Sequence, residues 1–123
     1  MKIEINGEIF EFENLEIANE LIKNDNLQDL DLGSVIEKYG NKFFQLMKII
    51  NKHDPMGFIS MGAPKDEYDL EVKTIIVKLY RAKTILEVQK LVEAEFLNWF
   101  GISIHAGKLA IDIFKWKSKV NLD

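Results

Sequence analysis

The chain has 123 residues, of which 47% are hydrophobic, and this suits one globular domain with a substantial core. Its formal net charge of −4 argues against a nucleic-acid-binding protein, and the lack of cysteine excludes disulfides, thiolate metal ligands and cysteine catalysis. The sequence contains neither a signal peptide nor an apolar run long enough to span a membrane, so we expect a cytoplasmic protein.

The first thirteen residues have the pattern of a β-hairpin that turns at Asn6-Gly7, a dipeptide that readily adopts the positive φ angles of a two-residue turn. This register pairs Lys2 with Glu11 and collects the apolar side chains on one face: Met1, Ile3, Ile5, Phe10 and Phe12. An isolated hairpin is only marginally stable, so this face needs cover. We favour cover by helices of the same chain, which predicts a monomer; cover by a second copy would predict a homodimer.

The rest of the chain is predicted to be helical, so the fold class is mainly α. We assign residues 1–123 to a single domain, in which the hairpin extension of residues 1–13 and a short helix precede a core of about four helices at 34–119. Apolar residues recur at helical spacing in five segments, which predict helices over residues 15–23, 34–52, 69–82, 84–100 and 104–119.

Several helix ends carry their own signals. Ser34 with Glu37, and Thr84 with Glu87, have the spacing of a capping box at a helix start. Stop signals follow two of the helices, at Asp54-Pro55 and at Gly101, and Gly40 is a weak point inside the helix of residues 34–52.

The last segment fits two structures. Leu109, Ile111 and Ile113 alternate as in a strand, but the apolar spacing also fits a helix that begins at Ser103. We prefer the helix, because Lys115, Lys117 and Lys119 suit the negative end of a helix dipole.

One stretch is distinctive: His53-Asp54-Pro55 at a helix end, followed by Asp66-Glu67-Tyr68-Asp69-Leu70-Glu71 at a helix start. In this respect the chain, over residues 35–119, resembles the YugE-like family of small bacterial helical proteins of unknown function. His53 stands where that family's pattern has a tryptophan. The resemblance implies an all-helical core and supports a helix over residues 104–119, and it implies no activity.

The same stretch is the candidate binding loop, with the residues His53, Asp54, Pro55, Asp66, Glu67, Tyr68, Asp69 and Glu71. A divalent cation could use His53, Asp54, Asp66 and Asp69 as ligands. We favour a structural interpretation, in which Asp66 or Asp69 caps a helix, Glu67 and Glu71 favour its positive end, Asp54 shapes the turn and Tyr68 packs the loop onto the core.

Other candidates carry less information. We expect a surface or capping role for His105, although it could converge with His53. The aromatic residues of the C-terminal third are expected to fill the core more than to form a binding surface: Phe96, Trp99, Phe100, Phe114 and Trp116.

These observations predict a non-catalytic protein-interaction module with no cofactor. An immunity-type protein that binds a basic toxin is a concrete form of it, because an acidic protein associates rapidly with a basic partner. The alternative is a small metal-binding protein, or a metal-dependent enzyme, built on His53 and the acidic loop of residues 66–71.

Overall fold

The computed structural model describes residues 2–5, 8–11 and 31–122. Two strands, β1 (Lys2–Ile5) and β2 (Glu8–Glu11), pair antiparallel with Lys2 opposite Glu11 and Ile3 opposite Phe10. Three predictions lie outside the described residues: the turn at Asn6-Gly7, the apolar face completed by Met1 and Phe12, and the helix over residues 15–23. The prediction of a monomer depends on them and stays a prediction.

The part of the chain that the structure describes is mainly helical, as the sequence predicts, and it contains five α-helices. They are α1 (Leu32–Tyr39), α2 (Asn41–His53), α3 (Asp69–Lys78), α4 (Ile85–Phe100) and α5 (Gly107–Lys117), and a 3₁₀ turn, Leu79–Arg81, extends α3. The described helices are too short or too polar for any of them to cross a membrane.

The predicted helix over residues 34–52 is wrong in one respect, because it is two helices. Gly40 has φ 58° and ψ −129°, a conformation that helices do not contain, and α1 ends and α2 begins on either side of it. The predicted cap is also wrong: α1 begins two residues before Ser34, and Asp31 caps it by accepting a hydrogen bond from the Ser34 N–H at 2.9 Å.

The other helix ends follow the sequence more closely. Thr84 Oγ1 accepts from the Glu87 N–H at 3.1 Å, and Gly101 ends α4 in the left-handed conformation, as predicted. The Glu87 carboxylate accepts from the N–H of Lys83 instead of closing the box on Thr84. The last segment is helical, but α5 begins at Gly107 and not at Ser103, so residues 102–106 form a non-helical linker from α4.

Helix α3 lies at the centre of the core, in contact with α1, α2 and α4, while α5 packs on α2 and α4. Its central position explains why most of α3 is buried, including its polar residues Glu71, Lys73, Thr74 and Lys78. Large, fully buried side chains come from the loop residue Tyr68 and from helices α2 to α5, among them Phe43, Leu46, Ile50, Ile75, Ile76, Leu91, Phe96 and Ile113. This core positions the loop between α2 and α3 and the start of α5, where the candidate site lies.

Candidate functional site

The loop between α2 and α3, residues 54–68, is organised around the carboxylate of Asp54. Asp54 Oδ1 accepts hydrogen bonds from the Ile59 N–H at 3.0 Å and from the Tyr68 hydroxyl at 2.7 Å, and Oδ2 accepts from the Ser60 N–H at 2.9 Å. One side chain therefore joins the first, middle and last parts of the loop. The prediction that Asp54 shapes this turn is confirmed.

Tyr68 closes the loop from the other end. Its side chain is fully buried, stacked on Phe58 and packed against Phe96 with ring centroids 5.7 and 5.8 Å away. Its hydroxyl also accepts a hydrogen bond from the Met56 N–H at 3.0 Å. The predicted packing of Tyr68 on the core is confirmed, and the sequence did not indicate its bond to Asp54.

These contacts shift the pKa values of both groups. Burial opposes ionisation of Asp54, but the hydrogen bonds from Tyr68, Ile59 and Ser60 outweigh it and hold the Asp54 pKa below its ordinary value. Burial, with the bond to the Asp54 carboxylate, raises the pKa of Tyr68 to about 12. At neutral pH the pair is therefore a neutral phenol donating to a carboxylate.

A pocket of about 440 Å³ lies beside this loop, between the end of α2, the start of α5 and the side of α4. It brings together both histidines of the chain, although 52 positions separate them in sequence. Its lining residues are His53, Pro55, Gln89, His105, Gly107, Lys108 and Leu109. The polar groups that reach it are two imidazoles, an amide and an ammonium group.

Hydrogen bonds hold the pocket walls. His53 Nε2 donates to Asp112 Oδ2 at 2.6 Å, which joins the end of α2 to the middle of α5. Glu93 Oε2 accepts both from Gln89 Nε2 at 2.9 Å and from the N–H of Ala106 at 3.0 Å, which fixes the linker into α5 against α4. None of the described lining residues is a serine, threonine or cysteine.

Comparisons of this chain with protein-family models, with curated proteins and with solved structures find no match. The site is therefore interpreted from its own geometry.

The structure places the predicted site residues in different surroundings. His53 and Pro55 line the pocket, and Asp54 and Tyr68 shape the loop. Asp66 and Glu67 are exposed before α3. Within the part of the chain that the structure describes, no three histidine, aspartate or glutamate side chains form a group that could hold a metal ion.

Asp69 and Glu71 lie in the first turn of α3, as predicted, but the predicted cap is wrong. The position before the helix is Tyr68, which makes no side-chain cap, and Asp69 Oδ1 is buried without a partner. Burial and the nearby Asp66 raise the pKa of Asp69. The Glu71 carboxyl is 3% exposed, and burial with the nearby acidic side chains raises its pKa to about 7.

Sequence reasoning missed Asp112, Gln89, Glu93 and Lys108. Each occupies a polar position of an amphipathic helix, where such residues are common, and no motif marks them. Four of the five aromatic residues behave as expected: Phe96 is buried in the core, and Phe100, Phe114 and Trp116 pack against it. Trp99 is half-buried outside this cluster, and its Nε1 donates a hydrogen bond to Thr74 Oγ1 at 3.3 Å.

Proposed function

We propose that this chain is a protein-interaction module that binds its partner through the loop of residues 54–68 and does no chemistry of its own. The observation that carries the proposal is the combination of a fixed loop and an exposed apolar tip. The Asp54–Tyr68 bond holds the loop, and at its tip the side chain of Met61 is 74% exposed.

A fixed loop favours binding, because a loop that is already ordered loses less conformational entropy when a partner docks. Asn51 Nδ2 adds a further tie by donating to the Lys65 carbonyl at 2.7 Å. Methionine is a frequent contact residue at binding surfaces, since its flexible, polarisable side chain adapts to different partners. Leu70, 44% exposed in the first turn of α3, adds apolar surface beyond the end of the loop.

The proposal includes a relationship to the YugE-like family. The resemblance depends on two separate motifs, at residues 53–55 and 66–71. The hydrogen bond from Tyr68 to Asp54 supplies a physical reason for the two motifs to occur together. An immunity-type role is one form of the proposed module.

The charge distribution refines what such a partner would look like. Residues 1–30 hold eight acidic side chains and two lysines, whereas residues 31–122 hold fourteen lysines and arginines and eleven acidic side chains. The negative net charge therefore comes from the first thirty residues. A basic toxin, as the composition suggested, would find its complementary charge mainly in that acidic segment and would contact it in addition to the loop of residues 54–68.

Site-specific photo-cross-linking in native cells tests the proposal. A photoreactive residue replaces Met61 in one variant and the exposed Lys83 in a control. We expect position 61 to yield one dominant protein adduct that disappears when Asp54→Asn releases the loop, and position 83 to yield none of it. The same set of adducts from both positions, or no adduct from position 61, would contradict the proposal.

A further inference from the structure

Helices α2 and α5 lie side by side and antiparallel, joined by three polar contacts. At one end Lys42 Nζ donates to the Asn121 carbonyl, in the middle Trp116 Nε1 donates to Gln45 Oε1 at 2.9 Å, and at the other end His53 bonds to Asp112. Three contacts in this order place the outer sides of both helices on one continuous surface.

This surface is strongly positive. Helix α2 contains three lysines and no acidic residue, and Asp112 is the single acidic residue of α5. One side of α5 and of the residues that continue it carries Asp112 together with Lys108, Lys115 and Lys119, because these positions recur at helical spacing. The five exposed lysines of this surface, which we call the lysine face, are Lys48, Lys52, Lys108, Lys115 and Lys119.

The one acidic group on the lysine face is already bound. Asp112 accepts the hydrogen bond from His53, which holds its pKa below the ordinary value, and Lys52 and Lys115 lower it further. The influence of both lysines on one carboxylate places lysines of α2 and α5 close together. Among the described residues, none of the five lysines of the face forms a salt bridge. Five lysines around a single carboxylate leave this surface with a local positive charge, which attracts an acidic partner.

We infer that the lysine face binds an acidic protein surface, and that the partner's carboxylates reach the pocket that His53 and Lys108 share with the face. This rests on the proposed interaction function, and it takes an acidic partner in place of the basic toxin. Charge complementarity of this kind accelerates association and selects the partner. Ile111, which is 39% exposed on the outer side of α5, adds an apolar contact beside the lysines.

One observation favours a protein over a nucleic acid. The exposed side chain of Ile111 lies one helical turn from both Lys108 and Lys115, and an apolar side chain among the lysines suits a protein surface better than a phosphate backbone.

The test measures binding of the full chain to poly-L-glutamate, with a short DNA duplex as a second probe. The test variant is Lys52→Gln/Lys115→Gln/Lys119→Gln. A matched control, Lys38→Gln/Lys65→Gln/Lys83→Gln, removes three exposed lysines outside the face and reaches the same net charge. Both variants are first compared with the wild type by thermal melting, and binding is measured at low and at raised salt.

We expect the wild type to bind poly-L-glutamate more tightly than DNA, in a salt-dependent way. The test variant should lose about tenfold in affinity and the control less than about twofold, in line with the removal of close charge pairs. Equal losses in both variants would overturn the inference, since they would reflect net charge alone. Tighter binding of DNA, lost in the test variant, would assign the face to nucleic acid, and no binding of poly-L-glutamate would also overturn it.

The outcome is separable from that of the proposed function. If position 61 cross-links a partner but the test variant binds poly-L-glutamate as the wild type does, the interaction module is supported and the acidic partner is rejected. Loss of poly-L-glutamate binding without any adduct from position 61 would remove the loop as the docking element and retain the anion-binding face.

Discussion

The hydroxyl of Tyr68 donates a hydrogen bond of 2.7 Å to Asp54, and this one polar contact joins two residues that lie fourteen positions apart in the sequence. The contact joins a residue just after α2 to the residue just before α3. The contact is partly buried, and the ring of Tyr68 packs against the aromatic rings of Phe58 and Phe96. The loop that carries the exposed Met61 therefore owes its shape to a pair of residues at its base.

Tyr68→Phe should lower the free energy of unfolding by about 1–3 kcal/mol, because it leaves a buried donor and acceptor without their partner. The Met56 N–H loses its acceptor and Asp54 Oδ1 loses a donor, while the ring still fills the core. Urea denaturation measures the change, and limited proteolysis should cut the loop faster in the variant.

The control for this variant is Tyr80→Phe, at a tyrosine that is 37% exposed after α3. It removes the same hydroxyl group without emptying a buried hydrogen bond. Equal stabilities of the Tyr68→Phe variant and the wild type would show that Asp54 holds the loop without Tyr68.

Glu71 should make stability depend on pH. Because burial raises its folded pKa to about 7 from 4.5, the folded protein holds a proton that the unfolded chain releases earlier. The stabilising effect of this proton is complete below about pH 4.5 and is lost as the pH rises through about 7. Relative to the wild type, Glu71→Gln should therefore gain stability across this range, by up to about 3 kcal/mol.

Chemical denaturation of both proteins at a series of pH values measures this difference. Glu37→Gln is a suitable control, because it removes an exposed acid and leaves Glu71 in place, so the wild-type slope should persist. A stability difference between Glu71→Gln and wild type that is the same at every pH would show that folding does not shift the pKa of Glu71.

The His53–Asp112 bond can be examined through the carboxylate. Since the hydrogen bond from His53 is the main reason why the pKa of Asp112 is low, His53→Ala should raise that pKa towards its ordinary value of 3.8. A lowered pKa stabilises the fold above the unfolded value, and this contribution is lost as the pH falls through the folded pKa. Carbon-detected NMR titration of the Asp112 carboxyl measures the shift. His105→Ala, at the other histidine of the pocket, should leave it unchanged; an unaltered Asp112 in His53→Ala would mean that Lys52 and Lys115 suffice.

Helix positions were predictable because they depend on local patterns. The apolar stripes of α2 and α4, the Thr84 cap and the Gly101 stop are all readable from neighbouring residues, and the structure confirms them. Helix starts were less predictable, since several polar residues compete. Asp31 caps α1 in place of Ser34, and the start of α5 depends on Glu93, a residue of another helix that binds the Ala106 N–H.

The candidate site was predictable only in part, for a related reason. The stretch from His53 to Glu71 was distinctive, yet its organisation depends on which side chains meet after folding. The pairing of His53 with Asp112 spans 59 positions, and nothing near Asp112 in sequence indicates it. The lysine face was not predictable from the sequence for the same reason, because its lysines come from two helices that only tertiary packing brings together.

The last prediction concerns Gly40→Ala, for which the sequence pattern and the structure predict opposite changes in stability. If residues 34–52 formed one helix, Gly40→Ala would stabilise it by up to about 1 kcal/mol, because alanine is the better helix former. In the structure Gly40 has φ 58° and ψ −129°, with no atom within 4 Å of an added Cβ, so the cost is backbone strain of about 1–3 kcal/mol. Gly107→Ala is the control, because its φ is not positive and its nearest neighbours are atoms of Gln89 at 4.0 Å. Urea denaturation should show Gly40→Ala less stable than the wild type and Gly107→Ala close to it. A more stable Gly40→Ala protein would mean that α1 and α2 join into one continuous helix.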